Sequence, residues 1–163
     1  MWFSKKKPTY TWESSFIIAA VTVFVGFIGS LFVDQGIWYQ SLPKVAFLPP
    51  NWVFGPAWIF IYILVDWSAV IIANSKDKSK KTIALFMYGM NAMLNFMWSV
   101  FFFAIKDTRA AFMELILLWL TIVGMILLSA RISKKAARLL LPYLAWVTFG
   151  GYLNYSYMVA LAK

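Results

Sequence analysis

The stretch RAAFMELILLWLTIVGMILLS, residues 109–129, decides the fold. A helix that crosses a bilayer needs roughly 20 mostly apolar residues, and this stretch meets that length with two charged side chains, Arg109 and Glu114. Backbone groups in lipid must satisfy one another, which favours helices. Similar segments occur along the chain, and the sequence predicts an all-α integral membrane protein, a five-transmembrane-helix bundle in one domain over residues 1–163, with spans at 14–33, 53–73, 82–105, 109–129 and 139–162.

Composition excludes most other classes of protein. The chain is 63% hydrophobic and 13% charged, which is too apolar for a water-facing surface and rules out a soluble catalytic domain or a nucleic-acid-binding domain. It contains 0 Cys and 0 His, so a thiolate nucleophile, an imidazole base and a Cys/His metal cluster are all excluded. We expect no metal and no cofactor.

The net charge of +9 comes from cations that lie between the apolar segments. Bacterial plasma-membrane proteins keep Lys and Arg inside, so the distribution predicts a cytoplasmic N-terminus in such a membrane. A mitochondrial outer membrane is the alternative location. Most of the cations fall on one predicted side (Lys5, Lys6, Lys7, Lys76, Lys78, Lys80, Lys81, Arg131, Lys134, Lys135, Arg138) and the rest on the other (Lys44, Lys106, Arg109, Lys163).

One connection, residues 34–52, is long enough to cover a site. It contains three prolines, which cannot continue a helix, and several aromatic residues that include Trp38 and Tyr39. We interpret this stiff aromatic loop as a lid on the outer side.

Polar residues inside the spans must find a partner or face a cavity. Asn91, Asn95 and Trp98 share one face of the third span by their i, i+4, i+7 spacing. Interhelical hydrogen bonds alone would account for the two amides. The second and fifth spans add aromatic and polar faces of their own, with Trp58 and Trp146, so we favour a pocket for a flat, mostly apolar ligand.

Two carboxylates lie inside the predicted spans. Asp66 follows Trp58 and Tyr62 at intervals of four, which predicts that it forms the pocket floor, either neutral or in contact with water. Glu114 is expected to reach the interface or to pair with Lys106 or Arg109. Two separated acids without His give little support to hydrolytic chemistry.

Several motifs occur together in a characteristic order. They are Trp38-Tyr39-x-x-Leu42-x-Lys44, then Pro49-Pro50-x-Trp52-Val53-x-Gly55-Pro56-x-Trp58, then Asn91-x-x-Leu94-Asn95-x-x-Trp98, then Ala137-Arg138-Leu139-Leu140-x-Pro142-Tyr143-x-x-Trp146 with Leu153-Asn154-Tyr155. In this combination the chain resembles the translocator protein family (TspO/MBR), also called the tryptophan-rich sensory proteins or peripheral-type benzodiazepine receptors.

The resemblance implies a membrane receptor or carrier for tetrapyrroles such as protoporphyrin IX and for isoquinoline carboxamides. By motif, it assigns the ligand-binding residues as Tyr39, Pro50, Trp58, Asn91, Asn95, Trp98, Ala145, Trp146, Phe149 and Gly150. It also leaves open a light- and oxygen-dependent porphyrin-degrading enzyme, with roles for Trp58 and Trp146. A small proton-coupled transporter that uses Asp66 is a further alternative. Metal-free porphyrin is the expected ligand, because axial ligation of haem iron would require Tyr or Met here.

The resemblance also implies a homodimer. Small residues that let helices approach closely are present in two spans, and we consider both as interfaces: Gly26, Gly29 and Ser30 in the first, and Gly89 and Ala92 in the third.

Overall fold

The computed structural model describes residues 12–33 and 36–162. The predicted orientation also rests on Lys5, Lys6, Lys7 and Lys163, which lie outside the described residues. Within the described residues all regular structure is helical, as predicted. The α-helices are α1 (Trp12–Leu31), α2 (Ile37–Ser41), α3 (Phe54–Ala73), α4 (Lys78–Ser99), α5 (Thr108–Ala130), α6 (Lys134–Leu139) and α7 (Leu141–Leu161), with a 3₁₀ turn at Asn51–Val53 and a π turn at Val100–Ala104.

Three segments of the described chain are long and apolar enough to cross a membrane: Asn51–Ala73, Lys78–Ala104 and Thr108–Ala130. The described part of α1 adds a shorter apolar helix, Ser15–Leu31. Many large apolar side chains on α1 and α3 are exposed, among them Phe24 and Ile59, which suits contact with lipid. The prediction of an integral membrane protein with several apolar helices is therefore confirmed.

Two short helices, α2 and α6, lie in connections for which the sequence predicted no helix. The predicted lid contains α2, and α6 precedes the last long helix, which begins at Leu141 rather than at residue 139. Helix α6 begins where the Ser133 side chain accepts a hydrogen bond from the Ala136 backbone N–H, and Pro142 then suits the start of α7.

Aspartates set the starts of the two central helices. The Asp77 carboxylate accepts from the Lys80 backbone N–H at the start of α4. The Asp107 carboxylate likewise accepts from the backbone N–H groups of Arg109 and Ala110 at the start of α5. These bonds satisfy donors that have no partner within the helix.

Helix α5 lies at the centre of the fold, between α4 and α7, while α1 packs on α3 and α4. One end of the bundle is held by the Ser68 hydroxyl, which lies 2.6 Å from the Tyr88 hydroxyl and donates to the Ala136 carbonyl. Tyr88 in turn lies 3.1 Å from the Ser129 hydroxyl. Four elements, α3, α4, α5 and α6, are thereby joined at the end of the bundle that contains the connections 74–77 and 131–133.

Candidate functional site

A cavity of about 640 Å³, here called the main cavity, opens between the helices. Its walls come from α1, α3, α4, α5 and α7, and residues 48–52 lie at its mouth. This volume falls within the range of roughly 300–1,000 Å³ that is usual for sites of drug-sized ligands. None of the described residues on its walls is charged.

Seven of the ten residues assigned by resemblance lie on the wall of this cavity: Tyr39, Trp58, Asn95, Trp98, Trp146, Phe149 and Gly150. The other three lie elsewhere. Pro50 is exposed beside the mouth, and Ala145 is exposed on the outer face of α7, one residue and about 100° from Trp146. Asn91 is buried one turn deeper than Asn95, beyond the floor of the cavity.

Three tryptophans form large flat surfaces around the main cavity. Trp58 lies 5.5 Å from the Tyr62 ring, centroid to centroid, and Trp146 packs edge-on against Phe54 at 5.7 Å. Trp98 stacks on Phe102 at 5.1 Å with 20° between the ring planes. Such surfaces suit a flat aromatic ligand.

The Trp98 indole is fixed in orientation by a buried amide. Its Nε1–H donates to the Asn154 side-chain oxygen at 3.1 Å, and the Asn154 amide donates to the Thr108 carbonyl at 2.8 Å. Asn154 is 1% exposed, so these partners replace water. Three helices thus hold one face of the cavity.

The π turn at Val100–Ala104 places two consecutive aromatics on the same wall. Adjacent residues of a regular helix point about 100° apart, and the wider turn brings Phe102 and Phe103 to a centroid distance of 4.9 Å, both buried. Phe103 was not predicted as a wall residue, because the spacing of hydrophobic residues does not reveal a π turn.

A hydrogen-bonded chain forms the floor of the main cavity. Tyr62 donates to the Asn95 side-chain oxygen, and the Asn95 amide donates to the Tyr143 hydroxyl, each at 3.3 Å. Tyr143 then donates to the Asn91 oxygen at 3.0 Å, and the Asn91 amide donates to the Thr121 hydroxyl at 2.8 Å. The four helices α3, α4, α5 and α7 meet in this chain, so Asn91 supports the floor.

The loop after α1 packs against the aromatic residues of the π turn, beside the main cavity. Trp38 contacts Phe102 edge-on at 5.6 Å, and Tyr39 lies 5.9 Å from the Phe103 ring. Burial raises the pKa of the Tyr39 hydroxyl above its ordinary value of 10.0, while a hydrogen bond with Tyr157 acts in the opposite direction. At the loop tip Phe47 has φ 59°, the left-handed region that side chains other than glycine rarely adopt.

Asp66 is not at the floor of the main cavity, and that prediction is wrong. It lies instead on a separate cavity of about 290 Å³ between α1, α3 and α4, here called the second cavity. Its Oδ1 accepts a hydrogen bond from Thr22 at 2.5 Å. Each step of four residues turns a helix by about 40° beyond a full turn, so Asp66 points about 80° away from Trp58. Tyr62, between them, borders both cavities.

Glu114 does not pair with Lys106 or Arg109. It is 6% exposed, and neither carboxylate oxygen has a hydrogen-bond partner among the described residues. Lys106 lies instead over the Trp38 ring, 5.9 Å from its centroid. The expectation failed because Glu114 precedes Thr121 by seven residues and so lies on the same side of α5. This side faces α4, as the hydrogen bond from Asn91 to Thr121 shows, rather than the membrane interface.

Small residues serve contacts inside the chain. A Cβ at Gly26 would lie 3.1 Å from the Tyr62 ring, and one at Gly151 would lie 3.1 Å from a Leu115 methyl carbon. Gly89, in contrast, borders the second cavity, with nothing within 4 Å of an added Cβ. Of the α1 residues that suggested a dimer interface, Gly26 faces α3 and Gly29 faces Ser99 of α4, while Ser30 is exposed.

Comparison with known proteins agrees with this architecture. Residues 17–160 match the sequence profile of the TspO/MBR family. The chain is 36% identical to Tryptophan-rich protein TspO of Chlorobaculum tepidum over 135 residues, which cover 81% of this chain and 85% of that protein. It is 33% identical to the Translocator protein of Homo sapiens over 133 residues, 79% of each chain. A further relative, Protein CrtK of Rhodobacter capsulatus, is 31% identical over 80% of this chain and 82% of its own. Since the profile match runs from α1 into the end of α7 and so includes every helix that borders the main cavity, this membrane protein belongs to the TspO/MBR family.

Proposed function

We propose that this protein is a membrane receptor or carrier that binds a tetrapyrrole such as metal-free protoporphyrin IX in the main cavity. The observation that carries the proposal is the set of three indoles, Trp58, Trp98 and Trp146, around an uncharged cavity of about 640 Å³. A flat macrocycle buries its faces well against such rings. Isoquinoline carboxamides share this flat, mostly apolar chemistry.

Charge favours one orientation of the ligand. Porphyrin propionates are anionic, and the described walls of the main cavity offer no cation to bind them. Lys44 is exposed on the loop at the mouth, and Lys106 lies at the same end of the bundle. The propionates therefore point toward the mouth, and the apolar edge lies deepest, against Tyr62 and Asn95.

Titration of purified protein with protoporphyrin IX tests this proposal. Trp146→Ala should weaken binding by about 5- to 150-fold, because loss of a large ring in a desolvated pocket costs about 1 to 3 kcal/mol. Trp67 is a matched control, since it is 47% exposed on α3 and is absent from the walls of the main cavity. Equal affinities for the Trp146→Ala, Trp67→Ala and parent proteins would remove the support for this site.

The same samples distinguish a receptor from an enzyme. A receptor binds with fixed stoichiometry in darkness and under illumination. Loss of the porphyrin absorbance with turnover, dependent on both light and oxygen, would assign degradation instead, and Trp58→Phe and Trp146→Phe would then be tested for loss of turnover.

We further propose that α1 and α7 also cross the bilayer, giving five spans in a bacterial plasma membrane with the N-terminus inside. The cations at the starts of α4 and α6 lie at one end of the bundle, which suits a cytoplasmic face: Lys76, Lys78, Lys80, Lys81, Arg131, Lys134 and Lys135. Thiol labelling of single cysteines placed at Lys78 and at Lys44 tests this orientation, since just the second should react with an impermeant reagent in intact cells.

Homodimerisation is proposed from the resemblance of the chain to its family. Gly26 faces Tyr62 within the chain, whereas Gly89, the other small residue considered as an interface, is exposed. Native mass measurement in mild detergent tests the proposal, and a mass of one chain at all concentrations contradicts it.

A further inference from the structure

The second cavity has properties unlike those of the main cavity. It lies between α1, α3 and α4, with Tyr143 of α7 at its inner end, and its volume of about 290 Å³ is less than half that of the main cavity. Such a volume is at the small end of ligand sites. It suits a single ring or a short chain rather than a macrocycle.

Its walls carry one formal charge, that of Asp66, and no lysine or arginine among the described residues. The Thr22 hydroxyl donates to one carboxylate oxygen, and no ion pair to Asp66 is present in the described part of the chain. A carboxylate inside a membrane is costly unless it has a partner. Among the described residues, therefore, no cation lies opposite this acid.

The other polar groups at the inner wall already have partners. Asn91, Asn95 and Tyr143 bond to one another, and Tyr62 donates to Asn95. Asp66 is therefore the polar group of this wall whose charge is not balanced by a described partner, and it favours a ligand of positive charge. The remaining surface is apolar, with side chains such as Val25, Val65 and Leu85.

The second cavity is open toward the outer surface of the bundle along α1 and α4. Ile17 and Val21 border it and are 61% and 52% exposed, and Gly89 is exposed as well. Since this surface is apolar, a ligand reaches the cavity from the bilayer. Such a ligand must itself be lipophilic.

We propose that the second cavity binds a lipophilic amine, with its ammonium group paired to Asp66 and its apolar body along α1 and α4. The charge of the acid selects a cation, the cavity volume limits the apolar body, and the lateral opening requires solubility in lipid. Thr22 holds the carboxylate in place. This site is distinct from the proposed porphyrin site and does not rest on it.

The test uses a matched pair of probes, 4-phenylbutylamine and the neutral 4-phenylbutanol, titrated calorimetrically into the full chain in nanodiscs of zwitterionic lipid. Empty nanodiscs correct for partition into lipid. The parent protein should bind one amine per chain. Asp66→Asn should weaken amine binding by at least about tenfold and leave alcohol binding unchanged, because the lost contact is a charge-assisted hydrogen bond.

A second variant tests the cavity without altering the acid. Gly89→Leu places a side chain in the opening, and the absence of atoms within 4 Å of its Cβ indicates that the fold accommodates it. Amine binding should be lost, and the protoporphyrin titration of both variants should match that of the parent. Equal amine affinity in the parent and Asp66→Asn proteins overturns the proposal, as does amine binding that survives Gly89→Leu.

Discussion

Replacement of Tyr143 by Phe tests the hydrogen-bonded floor between the two cavities. The Tyr143 side chain is 3% exposed, donates to Asn91 at 3.0 Å and accepts from Asn95 at 3.3 Å. Phenylalanine keeps the ring, including its edge-on contact with Trp58 at 6.2 Å, and removes just the hydroxyl. The variant therefore isolates two polar contacts from the packing around them.

The expected cost follows from the environment. Interhelical hydrogen bonds in membrane proteins contribute about 0.6 kcal/mol on average and up to about 1.7. Loss of two of them, with a buried amide oxygen and a buried amide donor left without those partners, gives a decrease of about 1 to 3 kcal/mol in the free energy of unfolding. The 3.3 Å bond is the weaker of the two, so the lower half of this range is expected.

Equilibrium unfolding in mixed detergent micelles, followed by far-UV circular dichroism, measures this change. Tyr155→Phe is the matched control, because Tyr155 lies on the same helix, is 50% exposed and contacts Phe112 through its ring rather than through a described hydrogen bond. It should change stability by less than about 0.5 kcal/mol. A Tyr143→Phe protein as stable as the control would refute the reasoning that these bonds hold the floor.

Three further predictions concern single positions. Gly151→Val should destabilise the fold, because its Cβ would lie 3.1 Å from a leucine methyl carbon of α5, whereas Gly150→Val should fold normally and weaken protoporphyrin binding in the titration described above. Glu114→Met should leave the free energy of unfolding unchanged or higher in the micelle assay, because no described partner is lost, and a decrease above about 1 kcal/mol would contradict the absence of a partner. At the start of α4, hydrogen bonds from the Lys80 side chain and backbone hold the pKa of Asp77 below its ordinary value of 3.8. Asp77 therefore stabilises the fold above about pH 4 and loses this contribution as the pH falls through its lowered pKa. The free energy of unfolding of Asp77→Ala should consequently change less between about pH 2 and 5 than that of the parent.

Helical periodicity predicted the walls of the main cavity and misplaced its floor, for a geometric reason. Asn95 and Trp98 are separated by less than one turn and lie on one wall, as their spacing indicates. Trp58 and Asp66 are separated by two intervals of four, and the accumulated rotation of about 80° directs Asp66 into a different cavity. Two residues separated by seven positions, in contrast, lie on nearly the same face of a helix.

Small residues and buried acids show a different limit of sequence reasoning. A small-xxx-small stripe indicates a close approach without stating whether the neighbour is the same chain or another. Gly26 meets Tyr62 of its own chain. Likewise, the sequence shows that Glu114 lies in an apolar span, while its lack of a partner depends on the side chains that α4 and α7 bring to it.

The floor also separates the two cavities, and some of its residues border both. Tyr62 and Asn95 border both of them, and Tyr143 lies at the inner end of the second. The porphyrin orientation proposed above places an apolar edge against Tyr62 and Asn95, and such an edge leaves the hydrogen bond between them intact. We therefore expect occupation of one cavity to leave the affinity of the other unchanged, which protoporphyrin titrations with and without saturating 4-phenylbutylamine measure; by linkage, any shift would be equal in both directions. A shift that appears in the parent protein and disappears in Tyr143→Phe would contradict this expectation and would show that the hydrogen bonds of Tyr143 connect the two sites.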